Sequence, residues 1–346
     1  MELSVCVDLS GEPAWHRLWR ADAHRHPYYL PAELAHAAAH YQPVYYLDVV
    51  PSISEHRPPA KEFVPRHLLA HDEEGPVLGL PLTLERFDGR TRLSAFGRPL
   101  YAVEDRSASP QRRRRAALLV HRHLEELRHE HAAEPYFLRD FLTGGDLSPL
   151  AEAILRAGGS ATPYFTQMVD LGLDATWLNQ DLRENFRRVL RRPRPRFTLD
   201  VVRGEQATEE HRDLLRRLHV ALRGREVRSP VGWDAVLTCV RRNEGFFVFA
   251  REDDEPIGGA YFPHSDIYCY YAFAGHDPER TGDGLSHRII WHAVMFAQSL
   301  GCRYFEVGDR LFPGPHAHVP DKYHTISHFK AGFSSTVTTR LDVISG

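Results

Sequence analysis

At 346 residues the chain is long for one compact core and comfortable for two domains of ordinary size. A hydrophobic share of 42%, a charged share of 26% and a formal charge of -3 exclude a collagen-like, coiled-coil or disordered protein and predict real buried cores. The first residues lack a basic region followed by an apolar run, and no uninterrupted apolar stretch approaches membrane-spanning length, so no integral membrane segment is expected and the reading is cytoplasmic. Cys6, Cys239, Cys269 and Cys302 are scattered without a C-x-x-C pair, which predicts buried free thiols and neither a disulfide framework nor a thiolate zinc site.

In chain order, 72–82 reads as a turn and a strand, and 93–99 as a second strand and turn. A long helix over 113–131 follows, with Ala116, Val120, Leu124 and Leu127 at helical spacing, and 134–140 reads as the next strand. The pattern recurs about 170 residues later. There 253–260 is turn and strand, 267–275 a strand, 285–300 a helix, and 301–309 a Tyr-Phe strand closing in an aspartate. Two ordered β-β-α-β blocks argue for two copies of one α/β unit.

Between the blocks, Asp181, Leu182, Phe186, Val189 and Leu190 predict a helix that ends before Pro193. Arg183, Arg187, Arg188, Arg191, Arg192, Arg194 and Arg196 crowd its polar face, which suits either phosphate groups or plain solvent. The run Arg112 to Arg115 carries the same two readings. Lysine occurs only at Lys61, Lys322 and Lys330, so the two near the end stand out: an ammonium is a compact, titratable charge that guanidinium does not replace.

These pieces together carry a resemblance. Asn185-Phe186-Arg187-Arg188, Glu255-Pro256-Ile257-Gly258-Gly259-Ala260, Tyr270-Tyr271-Ala272, Leu285-Ser286-His287, the strand ending Glu306-Val307-Gly308-Asp309, and His328-Phe329-Lys330-Ala331-Gly332-Phe333 follow one another as in the Fem-type (FemXAB-like) branch of the GNAT superfamily. The N-terminal half resembles it more loosely, through Trp19, the Gly79-Leu80-Pro81-Leu82 strand and Leu171, and no room is left for a long helical-hairpin arm. The resemblance implies an α/β (α+β) fold of two tandem GNAT-like domains, each a mixed, mainly antiparallel sheet flanked by helices. Its expected boundaries are 1–172 for the first domain, 173–197 for an Arg-rich linker helix and 198–346 for a catalytic second domain.

Members of that family move an amino acid from aminoacyl-tRNA to an amine of a peptidoglycan precursor or small natural product. The Phe-Lys-x-Gly-Phe segment implies that Lys330 lies beside the reacting ester with Phe329 as its neighbour. A strand tyrosine and an arginine that contact the acceptor point to Tyr271 and Arg228, with Arg223 and Arg225 as rivals. Trp233, close to Arg228, either clamps a substrate group or packs.

Such a transfer needs no enzyme nucleophile, because the ester is already activated. It needs positioning and a fixed donor for the oxyanion, for which Lys330 is the candidate. His287, Asp309 and Glu306 are the candidate proton acceptors, and Arg187, Arg188, Arg191 and Arg192 the candidate tRNA contacts. No cofactor is expected on this reading.

The alternative donor is acyl-CoA, whose pyrophosphate needs a glycine loop at a helix N-terminus. Glu279-Arg280-Thr281-Gly282-Asp283-Gly284 supplies the glycines, yet Glu279 and Asp283 bring like charge to a diphosphate, with Arg280 left to compensate. A non-catalytic peptide- or glycan-binding module is the third reading. His316, His318, His324 and His328 are read as chance clustering in a chain with 22 histidines, so no metal site is expected.

Overall fold

The computed structural model describes residues 1–9, 11–40, 60–192, 196–280 and 284–346. They divide into two compact units, 1–164 with 339–346 and 165–338.

The first unit carries a four-stranded antiparallel sheet in the order Glu2–Cys6, His67–Asp72, Gly75–Leu80, Val103–Glu104. Its central hairpin has a bulge between Ala70 and His71. Leu100 then bridges Leu138 in parallel, so the chain segment holding Val103–Glu104 also touches Phe137–Asp140. The long helix Pro110–Glu130 lies between those strands in sequence. Pro110 opens it, where a missing N–H costs nothing, and the Ser109 hydroxyl accepts from Arg112 N. Its apolar stripe, Ala116, Val120, Leu124 and Leu127, enters a core with Leu68, Leu78, Leu80 and Leu138. A further sheet, Glu62–Pro65, Thr83–Phe87 and Arg90–Ser94, takes up only Leu93 and Ser94 of the segment expected at 93–99 as the repeat's second strand; that strand is instead the Leu100 to Glu104 stretch.

The second unit repeats the arrangement. Thr198–Val202, Gly245–Glu252, Glu255–Pro263 and Phe273–His276 form an antiparallel sheet, and the hairpin bulges at the same place, between Ala250 and Arg251. Tyr268–Tyr270 runs parallel to Tyr304–Asp309, and Leu285–Ser299 is the intervening helix. The helix Glu209–Arg223 packs on Phe273–His276 at Gly275, where a Cβ would strike the His219 backbone.

Each unit is thus a mixed, mainly antiparallel sheet with flanking helices. The division falls inside the strand Ser160–Asp170, earlier in the chain than 172, and the last eight residues belong with the first unit. The segment expected to be one linker helix is two helices, Ala175–Asp181 and Glu184–Arg191. Leu178, Leu182 and Phe186 are buried in the second unit's core, which makes the segment part of that unit. Arg194 lies outside the described residues.

Candidate functional site

The site begins where one strand changes partner. Tyr268–Tyr270 follows Tyr304–Asp309 up to Tyr271, whose N–H donates to the Glu306 carbonyl at 2.9 Å. The next N–H, of Ala272, turns the other way to the Tyr261 carbonyl at 3.1 Å, and Phe273–His276 pairs only with Glu255–Pro263 among the described residues. Past Tyr271 the strand and residues 307–309 no longer share a ladder.

Tyr271 sits at that switch, half-buried and stacked on Phe262 with centroids 5.6 Å apart. Burial pushes its hydroxyl pKa up to about 12, with Arg223 opposing. Lys330 ends the helix Asp321–Lys330 and is half-buried. Its Nζ is 5.7 Å from the centre of the Tyr271 ring and occupies the space a Cβ on Gly308 would need. Gly308 has φ of +120°, beside a bulge in the strand Tyr304–Asp309, a conformation that favours glycine. The ammonium therefore rests between a phenol ring and bare backbone, where the two strands stop pairing.

The residues around Lys330 hold its helix firmly. Phe186 is enclosed by His287 at 4.3 Å, Phe329 at 5.5 Å and Phe333 at 5.1 Å between ring centres, and it fills the space beside Gly332. The Arg183 N–H donates to the Gly332 carbonyl at 2.9 Å, and Asp181 accepts from Ser334 Oγ and Ser335 N. Phe329 and His287 thus meet, with ring centres 5.0 Å apart, as packing partners beneath Lys330. Burial lowers the His287 pKa. Glu306 is buried and accepts a hydrogen bond from the Tyr268 hydroxyl. Asp309, partly exposed, directly follows Gly308.

Arg228 and Trp233 form a second group. The Arg228 guanidinium lies 4.2 Å from the Phe273 ring centre and 5.1 Å from that of Trp233, whose Nε1 donates to Glu226 at 3.0 Å. Buried His219 closes the cluster, 5.3 Å from Phe273; burial, then Arg228 and Arg223, lower its pKa to about 4. Arg223 acts on both His219 and Tyr271, so it links the two groups, whereas no contact joins Arg225 to either among the described residues.

The arginine face is partly used. Arg187 donates to the Gln180 carbonyl and Arg188 lies 3.8 Å from Glu184, while Arg191 and Arg192 are exposed. In the first unit Arg112 pairs with Asp72 and Glu74, and Arg113 lies 3.7 Å from Glu104, leaving Arg114 and Arg115 exposed. Thr281, Gly282 and Asp283 lie outside the described residues; Arg280 is shared between Glu252 and Asp277 at 3.7 and 3.9 Å. Among the described residues no group of three or more His, Cys, Asp or Glu is placed to hold a metal ion, and no helix is long and apolar enough to cross a membrane.

Sequence reasoning missed three features. One is Gly308; the second is the ring cage around Phe186. The third is a cavity of about 30 Å³ in the first unit, near its strand switch, lined by Asp22, Tyr101, Glu104, Arg139 and Asp140. Tyr101 donates to Asp22 there, and both Glu104 carboxylate oxygens are buried without a hydrogen bond. Only the recognition that both halves share one strand switch could have located it.

Residues 178–315 match the family model described as an acetyltransferase (GNAT) domain. A solved structure of FemX is similar over 99% of this chain and 97% of its own, at a TM-score of 0.67 and 10% identity. A tandem GNAT protein from the clavulanic acid biosynthesis pathway matches over 100% and 99%, at a TM-score of 0.54 and 14% identity. The L-PGS of Bacillus licheniformis matches over 81% and 84%, at 0.52 and 9%. A comparison with curated proteins gave no match. Residues 178–315 thus carry a GNAT-type domain. Over nearly the whole chain the fold is like that of FemX.

Proposed function

We propose that the protein forms an amide bond by moving an aminoacyl group from aminoacyl-tRNA to an amine of a peptidoglycan precursor or a small natural product. The seat of the Lys330 ammonium carries this reading: a cation held between Tyr271 and Gly308, where two strands stop pairing. The acceptor nitrogen attacks the ester carbonyl, and negative charge gathers on its oxygen, where Lys330 donates. The carbon–oxygen bond to the ribose then breaks, and the proton lost by the amine ends on the leaving hydroxyl. Asp309 is our choice to carry that proton, because it is partly exposed and directly follows Gly308, against which the Lys330 ammonium rests. Arg228, flat against Phe273, suits an anionic group of the acceptor, with Tyr271 and Trp233 beside it. The exposed Arg191 and Arg192, with Arg187 and Arg188, suit the RNA backbone.

The FemX likeness supports this donor. The acetyltransferase description of the matched region favours acyl-CoA instead, as does the glycine at the N-terminus of Leu285–Ser299. Incubation with charged tRNA and amine acceptors separates the two. Product that disappears with ribonuclease treatment supports the tRNA donor, and product made from acyl-CoA in its presence rules that donor out.

A further inference from the structure

The cavity of about 30 Å³ in the first unit has no part in the proposed transfer. One water needs about 10–15 Å³, so the space suits a group of about two heavy atoms. Asp22, Glu104, Leu138 and Asp140 are buried in its interior, while His24, Arg106 and Thr143 reach solvent at its rim.

The donors along its wall are engaged. The Tyr101 hydroxyl donates to Asp22, which also accepts from His24 N at 2.9 Å. Asp140 accepts from Leu142 N at 3.0 Å and from Ser148 N at 2.7 Å. Arg139 is matched by Asp342, and Arg106 donates to the Thr143 carbonyl at 3.3 Å.

What is left over is an acceptor. The Glu104 side chain is 5% exposed, and neither of its carboxylate oxygens has a hydrogen bond. The Arg113 guanidinium is 3.7 Å away, too far to donate. A buried carboxylate left in this way costs free energy, which a donor brought into the cavity returns. A cationic donor suits it best, because Asp22 and Asp140 line the same space as Glu104. A metal ion does not fit, since among the described residues no three ligands are placed for one.

We propose that this cavity is a binding site for a primary ammonium group, held by Glu104 with Asp22 and Asp140 around it. The ligand is a small amine, or the amino end of a larger molecule that enters past Arg106 and His24. Its N–H groups reach both Glu104 oxygens, and its charge offsets the carboxylate, which water does not. The site lies wholly within the first unit, so it stands whichever donor Lys330 serves.

The test titrates the whole isotope-labelled protein with methylammonium and follows the amide signals of residues 138–148. At about pH 8 Glu104, whose pKa burial pushes up to about 7, is ionised and an alkylammonium is still protonated. Saturable shifts are expected, and none with tetramethylammonium, which has no N–H to donate. Glu104→Gln should weaken binding about tenfold or more, the loss of one hydrogen bond to a charged group. Arg106→Gln, on an exposed side chain, should tighten it about two- to fivefold by removing a like charge at the rim. That second variant decides the matter if Glu104→Gln folds poorly by circular dichroism. Lys330→Ala should bind as the wild type does.

Three results would each overturn the site: no saturable shift in the wild type, the same shifts with tetramethylammonium, or wild-type affinity in the folded variants of Glu104 and Arg106. The cavity would then hold ordered water only. Loss of binding in Lys330→Ala would move the amine to the second unit and overturn the site as well.

Discussion

At the scale of single residues, Lys330 stands out in the sequence because lysine is rare in this chain, but Gly308 does not. One glycine among 24 reveals neither a φ of +120° nor that an ammonium fills its missing side chain. Lys330→Ala should slow transfer about a hundredfold, the usual loss for one oxyanion donor. Gly308→Ala should approach the same loss by pushing the ammonium aside, and should cost about 1–3 kcal/mol in backbone strain. Acetic anhydride labelling read by mass spectrometry can follow the displacement, since Lys61 and Lys322 are the sole internal references. Unchanged Lys330 reactivity and full transfer in Gly308→Ala would dismiss the positioning role. Glu104 gives a second residue-level prediction. Burial raises its pKa from 4.5 to about 7, because the Arg113 guanidinium at 3.7 Å is too distant to hydrogen-bond and offset the lost solvation. The native carboxyl holds its proton where the unfolded one has lost it, so its contribution is fully present below about pH 4.5 and is lost as pH rises to about 7, by about 3 kcal/mol. Urea unfolding of Glu104→Gln should match wild type near pH 5 and exceed it by up to that amount near pH 8. Equal stability at both values would mean that Glu104 ionises freely.

At the scale of elements, helices with strong apolar spacing were legible and strand partners were not. The periodicity of 113–131 placed Pro110–Glu130 within three residues, and 285–300 became Leu285–Ser299. The single helix expected before Pro193 is two, since Asp181 turns its carboxylate to Ser334 and Ser335 and Leu182 takes an extended backbone. No local signal announces a partner 153 positions away. The same blindness hid the function of Phe186: helical spacing marks it as apolar but cannot say that it fills a cage under Phe329 and against Gly332. Truncating a buried phenyl ring costs about 3–5 kcal/mol. Phe186→Ala should therefore lower the melting temperature and slow transfer together, whereas Lys330→Ala should slow transfer with little thermal change. The arginines on the same helix should behave oppositely. Replacing Arg188, Arg191 and Arg192 by Gln should leave melting nearly unchanged and flatten the salt dependence of RNA binding by about 0.7 for each phosphate that is no longer neutralised. Unaltered RNA binding in that triple variant would remove the helix from the RNA path.

At the scale of the whole molecule, the duplication was readable because each copy must bury its own sheet, and burial imposes the same order of turns, strands and helix twice. The depth of the repeat was not readable: hairpin bulges at Ala70 and Ala250 and strand switches after Leu100 and Tyr270 are backbone events that side-chain patterns barely mark. Least visible was the return of 339–346 to the first unit, since a short alternating strand fits the edge of either sheet. The structure pairs Leu341 to Ile344 with Asp140 to Phe137 and sets Asp342 on Arg139 through bonds of 2.7 and 3.0 Å. Arg139 is 6% exposed, so removing its carboxylate leaves a buried charge without a counter-ion, at a cost of about 3–5 kcal/mol. Asp342 lies four residues from the end of the chain, yet its loss should be felt by residues 67–80 and 137–140 in the other half of the sequence. Hydrogen exchange of Asp342→Ala should show lost protection there, while 245–263, nearer to it in sequence, keeps its protection. Equal loss across both hairpins would mean that the two units unfold as one cooperative body, and that their separate cores are not separate in energy.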